Sequence, residues 1–307
     1  MSLSYKHRLF AVLAAVIWAS PFAFSQQVTV QHAQGETTLE QNPSLVFSYD
    51  YAAIDTLHTL GVEVDGAPPL AGAAPSWLPA ELINIGSLFE PDYEEVNASQ
   101  PDLVIVAGRS APVYGELSRL APTIDLTFGG DFYESLAANT RTLATIFDKE
   151  EEAEAALTEI EAKIAALRDA VAAGGDGLVI MVNGGSLSVL APASGVAARG
   201  ALLYQTLGLE PAVQDVEAAT HGEPISFEFL LQHDPTWLFV LDRDAAIGTE
   251  GGQPAAQVLD NELMHQTTAW KEGNIVYLDP FNWYIVSGAG LTSANEMLDE
   301  VAAAYAE

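Results

Sequence analysis

Seven arginines occur among the 307 residues, and three of them stand apart. Arg109 and Arg243 each follow a short apolar run of strand character, and Arg199 opens a predicted helix after the glycine-containing loop 195–200. A cation gains nothing from the helix dipole at such positions. Any one arginine is readily balanced by one of the 42 acidic side chains; three at the ends of cleft-facing elements point instead to an anionic ligand held by charge-assisted hydrogen bonds. Arg119, Arg141 and Arg168 fall in helical segments, where an ion pair or a solvated face accounts for them. His221, in a loop with Gly222 and Pro224, and Tyr284, after the last predicted strand, form a nitrogen and oxygen pair. Alone, each reads as surface or packing. Together, an imidazole and a phenolate suit a hard ferric ion that carries most of its ligands from a chelator, because two protein donors then complete the octahedron. Trp283, beside Tyr284, is a candidate face for a flat ligand.

Other chemistries lack their residues. The chain has no cysteine, which excludes a disulfide scaffold, thiolate-held zinc, iron–sulfur ligation and a catalytic thiol. It has no GxSxG, HExxH or P-loop motif, and residues 288–293 break GxGxxG at its last position. His7, His32, His58, His233 and His265 show no metal-ligand spacing. With 11 basic against 42 acidic residues and a formal charge of -31, the chain cannot offer the basic footprint that nucleic acid requires.

The elements that must position these residues alternate between strand and helix. Residues 28–40 read as a hairpin about Gly35, and residues 44–50 as a buried strand leading into a helix. Short apolar runs at 62–66, 83–86, 102–108 and 123–128 are separated by helical stretches, the pattern of an α/β lobe with a mainly parallel sheet. Residues 149–173 contain no Gly or Pro and place Ala156, Ile160, Ile164 and Leu167 three and four apart. They predict one long helix, ended by Gly174 and Gly175. A second α/β lobe follows, with predicted helices at 199–208, 226–233 and 252–260 and a terminal helix from about Leu291. The expected division is therefore a targeting segment over 1–25, a first lobe over 26–148, an interlobe helix over 149–173 and a second lobe over 174–307, with a ligand cleft between the lobes.

An internal echo ties the arginines to this plan. In each lobe a helix is followed by a proline (Pro101, Pro235), a strand, and an arginine eight residues after the proline, with a glutamate (Glu94, Glu228) seven before it. Ligands of open α/β sheets collect beyond the carboxyl ends of the strands, so Arg109 and Arg243 should face each other across the cleft.

The N-terminus has signal-peptide anatomy. Lys6, His7 and Arg8 precede an apolar stretch from Leu9 to Ala19, then Pro21 and small residues at Ala23 and Ser25. The stretch falls well short of the ~20 apolar residues that span a bilayer. With no cysteine available for lipidation, these features predict an exported, soluble, unlipidated protein of the periplasm.

The segments 100–109, 220–226, 238–244 and 277–291, with Arg199 eight residues before Leu207, resemble the class III periplasmic substrate-binding proteins of ABC importers, most closely the binders of iron(III) catecholate siderophores of the enterobactin-like kind. The likeness runs through nearly the whole chain after the targeting segment. It implies two α/β lobes on a long backbone helix, a monomer with no permanently bound cofactor and no enzymatic activity, and a ferric siderophore as ligand. It also implies roles: His221 and Tyr284 coordinating Fe(III) when the siderophore is tetradentate, Arg109, Arg199 and Arg243 contacting catecholate oxygens, and Glu94 and Glu228 docking on arginines of the membrane permease. Haem or cobalamin, with Trp283 flanking a corrin, is the alternative ligand class; a periplasmic metal-dependent hydrolase is a more distant one.

Overall fold

A computed structural model describes residues 26–306 except 71, 73, 128, 130, 193–198, 218, 220 and 288. The predicted targeting segment and most of the loop before Arg199 lie outside the described residues. In the first lobe the chain forms β1 (Gln27–His32), β2 (Gly35–Glu40), β3 (Val46–Ser48), α1 (Tyr51–Thr59), β4 (Gly66–Ala67), β5 (Ile83–Asn84), α2 (Tyr93–Ser99), β6 (Leu103–Val106), α3 (Tyr114–Leu117), β7 (Thr123–Asp125) and α4 (Phe132–Phe147). Helix α5 (Glu150–Ala173) leads to the second lobe, with β8 (Asp176–Asn183), β9 (Ser186–Val189), β10 (Glu210–Pro211), β11 (Glu223–Ile225), α6 (Phe227–His233), β12 (Trp237–Asp242), α7 (Arg243–Ala246), α8 (Ala255–Leu259), α9 (Thr268–Glu272), β13 (Ile275–Leu278) and α10 (Leu291–Ala304).

The first sheet has the order β5-β4-β3-β6-β7 and is parallel throughout. Its central strands are buried along their whole length, as helices on both faces of a parallel sheet require. The second sheet runs β11-β9-β8-β12-β13, parallel from β8 to β13 and antiparallel where β9 folds back on β8. That fold-back is a two-residue turn at Gly184 and Gly185, with φ of 56° and 76°; only glycine takes two such values in succession without cost.

Helix α5 buries Ala153, Leu157, Ile160, Ile164, Leu167 and Val171, a single stripe at spacings of three and four that packs against α4 and α10. Three glutamates in its first turn suit the positive end of the helix dipole. The predicted helix over 199–208 is instead a single wide turn at 202–206, where Leu207 N donates to Leu202 O, five residues back, at 2.8 Å. The predicted helix over 252–260 shortens to α8 because Pro254 starts it and Asp260 ends it.

Helix α10 returns from the second lobe to pack on α1 as well as α5. Gly290, at its N-cap, has no side chain to accept its first amide protons. Asp55 of α1 does so from the other lobe, accepting from Thr292 N at 2.7 Å and Ser293 N at 2.9 Å, and pairing with the Ser293 hydroxyl. Asp55 is fully buried, and burial raises its carboxyl above the ordinary range against the pull of these hydrogen bonds. A Cβ at Gly290 would stand 2.4 Å from Asp55 Cγ, so glycine there is what permits the approach. Asp55→Ala leaves one buried and one half-buried amide without an acceptor and should lower unfolding free energy by about 2 kcal/mol, read as a lower urea midpoint.

Candidate functional site

The internal echo folds as two copies of one device. Helices α2 and α6 are each seven residues long, capped by Asp92 and Ser226, whose side chains accept from Glu95 N and Phe229 N. Each ends on a left-handed residue, Gln100 (φ 52°) or Asp234 (φ 43°), directly before its proline. Proline cannot continue a helix, so the chain passes into β6 or β12, and each strand delivers its arginine at its carboxyl end. After β6, Ser110 Oγ accepts from Ala107 N at 3.0 Å and donates to Tyr49 O at 3.2 Å, fixing the tight turn that projects Arg109. After β12, Asp242 accepts from Ala245 N at 3.0 Å and starts α7 at Arg243. Glu94 and Glu228 occupy the same second position of their helices and are solvent-exposed.

Tyr284 lies inside a second wide turn at 281–285, closed by Val286 N to Phe281 O at 3.0 Å. Such five-residue turns recur at functional sites because they reset which side chains face outward. The Tyr284 hydroxyl accepts from Arg243 Nε at 2.9 Å, while the Arg199 guanidinium lies over its ring, 4.3 Å from the centroid. Arg243 also donates to Asn183 Oδ1 at 3.0 Å, and Arg109 Nη2 reaches Ile285 O, the residue after Tyr284, at 3.0 Å. Two of the three predicted arginines therefore meet Tyr284, and the third meets the residue after it.

The Arg243 guanidinium is 5.8 Å from the same ring centroid, which puts it within about 10 Å of Arg199. At an effective dielectric of ~20 the two repel by roughly 2 kcal/mol. Burial holds the Arg199 guanidinium below its ordinary pKa, Tyr284 opposes that, and Arg109 and Arg243 add to it. Among the described residues neither Arg109 nor Arg243 forms an ion pair with a carboxylate, although the Asp50 carboxyl feels the charge of Arg109, whereas Arg119 pairs with Glu116 and Arg141 with Glu154.

His221 is exposed on the turn before β11, and its carbonyl accepts from Ser188 Oγ at 2.6 Å. Gly222 lets that turn sit close: a Cβ there would be 2.5 Å from Val189 O. Partial burial lowers the imidazole pKa from 6.5, with Arg243 and then Arg199 adding to the effect. A neutral ring keeps a nitrogen lone pair for a metal. Among the described residues no three His, Asp or Glu side chains gather as a metal site.

Trp283 corrects the sequence expectation. It is fully buried, and its Nε1 donates to Glu300 Oε2 on α10 at 2.6 Å. An indole N–H taken out of water needs an acceptor, and this one draws the ring into the core while Tyr284 turns to the arginines. Trp283 thus holds the turn from behind and presents no face to the cleft. Sequence reasoning also missed Asn183, whose position at the end of β8 before the Gly184 turn was the available signal, and the Ile285 carbonyl, for which no side-chain pattern exists.

Residues 46–281 match the family model described as periplasmic binding protein. The chain belongs to the periplasmic binding protein family. Among curated relatives, the petrobactin-binding protein YclQ of Bacillus subtilis is 36% identical over 286 residues, covering 90% of this chain and 87% of that one. The ferric-anguibactin-binding protein FatB of Vibrio anguillarum is 32% identical over 295 residues, covering 91% and 87%. The crystal structure of the periplasmic catecholate-siderophore binding protein VctP of Vibrio cholerae superposes with a TM-score of 0.83 at 31% identity, over 91% of this chain and 100% of that one. In this periplasmic binding protein the two lobes and single long helix form the class III arrangement, and among the described residues no helix is long and apolar enough to cross a membrane.

The field of the arginines on His221 is measurable directly. Arg243→Met should move the His221 pKa upward toward 6.5, followed by NMR titration of the imidazole protons; an unmoved pKa would separate His221 from the arginine site.

Proposed function

We propose that this periplasmic binding protein captures an iron(III) siderophore, of catecholate type and tetradentate, and delivers it to the permease of an inner-membrane ABC importer. The observation that carries this reading is Tyr284 held between Arg199 and Arg243, with Arg109 alongside. An oxygen donor among three cations matches a ferric complex whose ligand oxygens are anionic: the arginines meet those oxygens while Tyr284 and His221 take the positions that a tetradentate chelator leaves vacant on iron. Relatives named for petrobactin, for anguibactin and for catecholate siderophores support the ligand class. The buried Trp283 removes the flat surface on which the cobalamin reading leaned.

Binding and release break no covalent bond, and Fe(III) is cargo rather than resident cofactor. The protein works as an exported monomer in the periplasm after loss of residues 1–25, and its loaded form docks on the permease by Glu94 and Glu228, one from each lobe. Their equivalent, exposed places on α2 and α6 support that role. The Ser226 hydroxyl bonded to Glu228 holds that carboxyl below its ordinary pKa, so it is charged for docking.

Tyr284→Phe should weaken binding of a ferric bis-catecholate by about 10- to 100-fold and remove the phenolate contribution to the charge-transfer band, measured by fluorescence quenching and visible absorption. Ligation requires neutral His221, whose folded pKa lies below 6.5; affinity should therefore hold from pH 7.5 down through 6.5 and fall only at lower pH, and His221→Ala should abolish that acid limb. Glu94→Ala with Glu228→Ala should leave solution affinity unchanged and stop iron uptake in cells that depend on this protein. Uptake at the original rate would sink the docking role.

A further inference from the structure

Beside the arginine site lies a chamber with a different chemistry. It has a volume of about 290 Å³ and opens between the carboxyl ends of β3, β6 and β7, the start of α1, the inner face of α4 and the segment after Tyr284. Arg109 and Arg199 are among its lining residues, so it is continuous with the arginine site, whereas Tyr284, Arg243 and His221 are not. Leu88, Leu126, Phe132, Leu143 and Val286 make most of the remaining surface apolar. Asp50 is the one carboxylate in the lining.

Size decides what fits. An apolar cavity of ~150 Å³ holds one benzene, so this chamber takes on the order of a dozen non-hydrogen atoms. The candidate iron donors Tyr284 and His221 are not among its lining residues, so the iron ion and its two catecholates are not centred here. The chamber therefore suits a part of the ligand that does not touch iron. Asp50 caps α1, accepting from Ala53 N at 3.0 Å. A carboxylate has about four lone-pair sites, so acceptor capacity remains toward the cavity. Burial raises the Asp50 carboxyl above its ordinary pKa, and the α1 amides and Arg109 oppose the rise; a hydrogen bond donated by a ligand would favour the charged form further.

Building on the ferric-siderophore reading, we propose that this chamber receives a non-chelating arm of the siderophore, an apolar segment of roughly a dozen non-hydrogen atoms carrying an N–H donor for Asp50. The arginine site recognises the chelate, and the chamber selects among chelates by what is attached to them.

The test uses two probes on the full chain: the ferric complex of a bis(2,3-dihydroxybenzoyl) pentanediamine, and the same chelator bearing a hexyl-amide arm on its linker. The arm should raise affinity by about 10-fold or more, the return on burying roughly 60 Å² of apolar surface. Leu88→Trp and Ala289→Leu, which fill the chamber at a lining residue of the first lobe and one of the segment before α10, should each erase that gain and leave the armless chelate unaffected, which also shows that the variants are folded. Asp50→Asn should remove part of the gain. Equal affinity of the wild type for both probes, or a gain that survives both filled variants, overturns the chamber's role alone. Failure of the wild type to bind either probe overturns the ferric-chelate reading and this one with it.

Discussion

A buried carboxylate of the first lobe caps the last helix of the second, and the site depends on that contact. The chain between β13 and α10 carries Tyr284, Trp283 and Ile285, and its far end is fixed where Asp55 meets the amides of Thr292 and Ser293. Glu300, one face further along α10, holds Trp283 from inside. The turn at 281–285 is thus pinned behind and ahead, and only its cleft side is left to place a phenol. A helix N-terminus with its amides exposed to a partner attracts a negative group. Here the partner lies 237 residues away in sequence, so a bond of local form joins the two halves of the molecule.

Charge is distributed in the opposite sense at two scales. The whole chain carries a formal -31, a field that opposes any anion until salt screens it within ~8 to 10 Å. Inside that distance the balance inverts, because three of the 11 basic residues gather at Tyr284 and the adjoining Ile285 carbonyl while acids populate the exposed faces of α2, α5 and α6. The surface charge therefore governs solvation, and the few cations held against it are the ones that the proposed function assigns to binding.

Much of this was legible in the sequence. The repeated helix, proline, strand and arginine could be read because proline and the polar residue before it act locally, and the structure places a left-handed residue before each proline. Helix α5 was legible from an unbroken apolar stripe. The arginines were legible as misfits, needing only their positions. What escaped were features without local rules. The wide turns at 202–206 and 281–285 look like ordinary helix or loop, since one extra residue in a hydrogen-bonded ring leaves no compositional mark. Trp283 and Tyr284 are adjacent and both aromatic, and only the acceptor on Glu300 determines which one is buried. Strands β4 and β5 are two residues each, too short to show a period.

On the proposed role of Arg109 in ligand binding, its bond to the Ile285 carbonyl bears on how fast and how tightly a ligand is held. An arginine side chain carries roughly 2 kcal/mol of rotamer entropy, and one left to wander in solvent surrenders it when a ligand arrives. Arg109 is already steered across the cleft by a neutral carbonyl, which an anionic oxygen can outbid without a new search. Its ordering belongs to folding rather than to association. Preorganisation of this kind leaves the encounter rate to diffusion and is expressed chiefly as a long residence time of the bound complex.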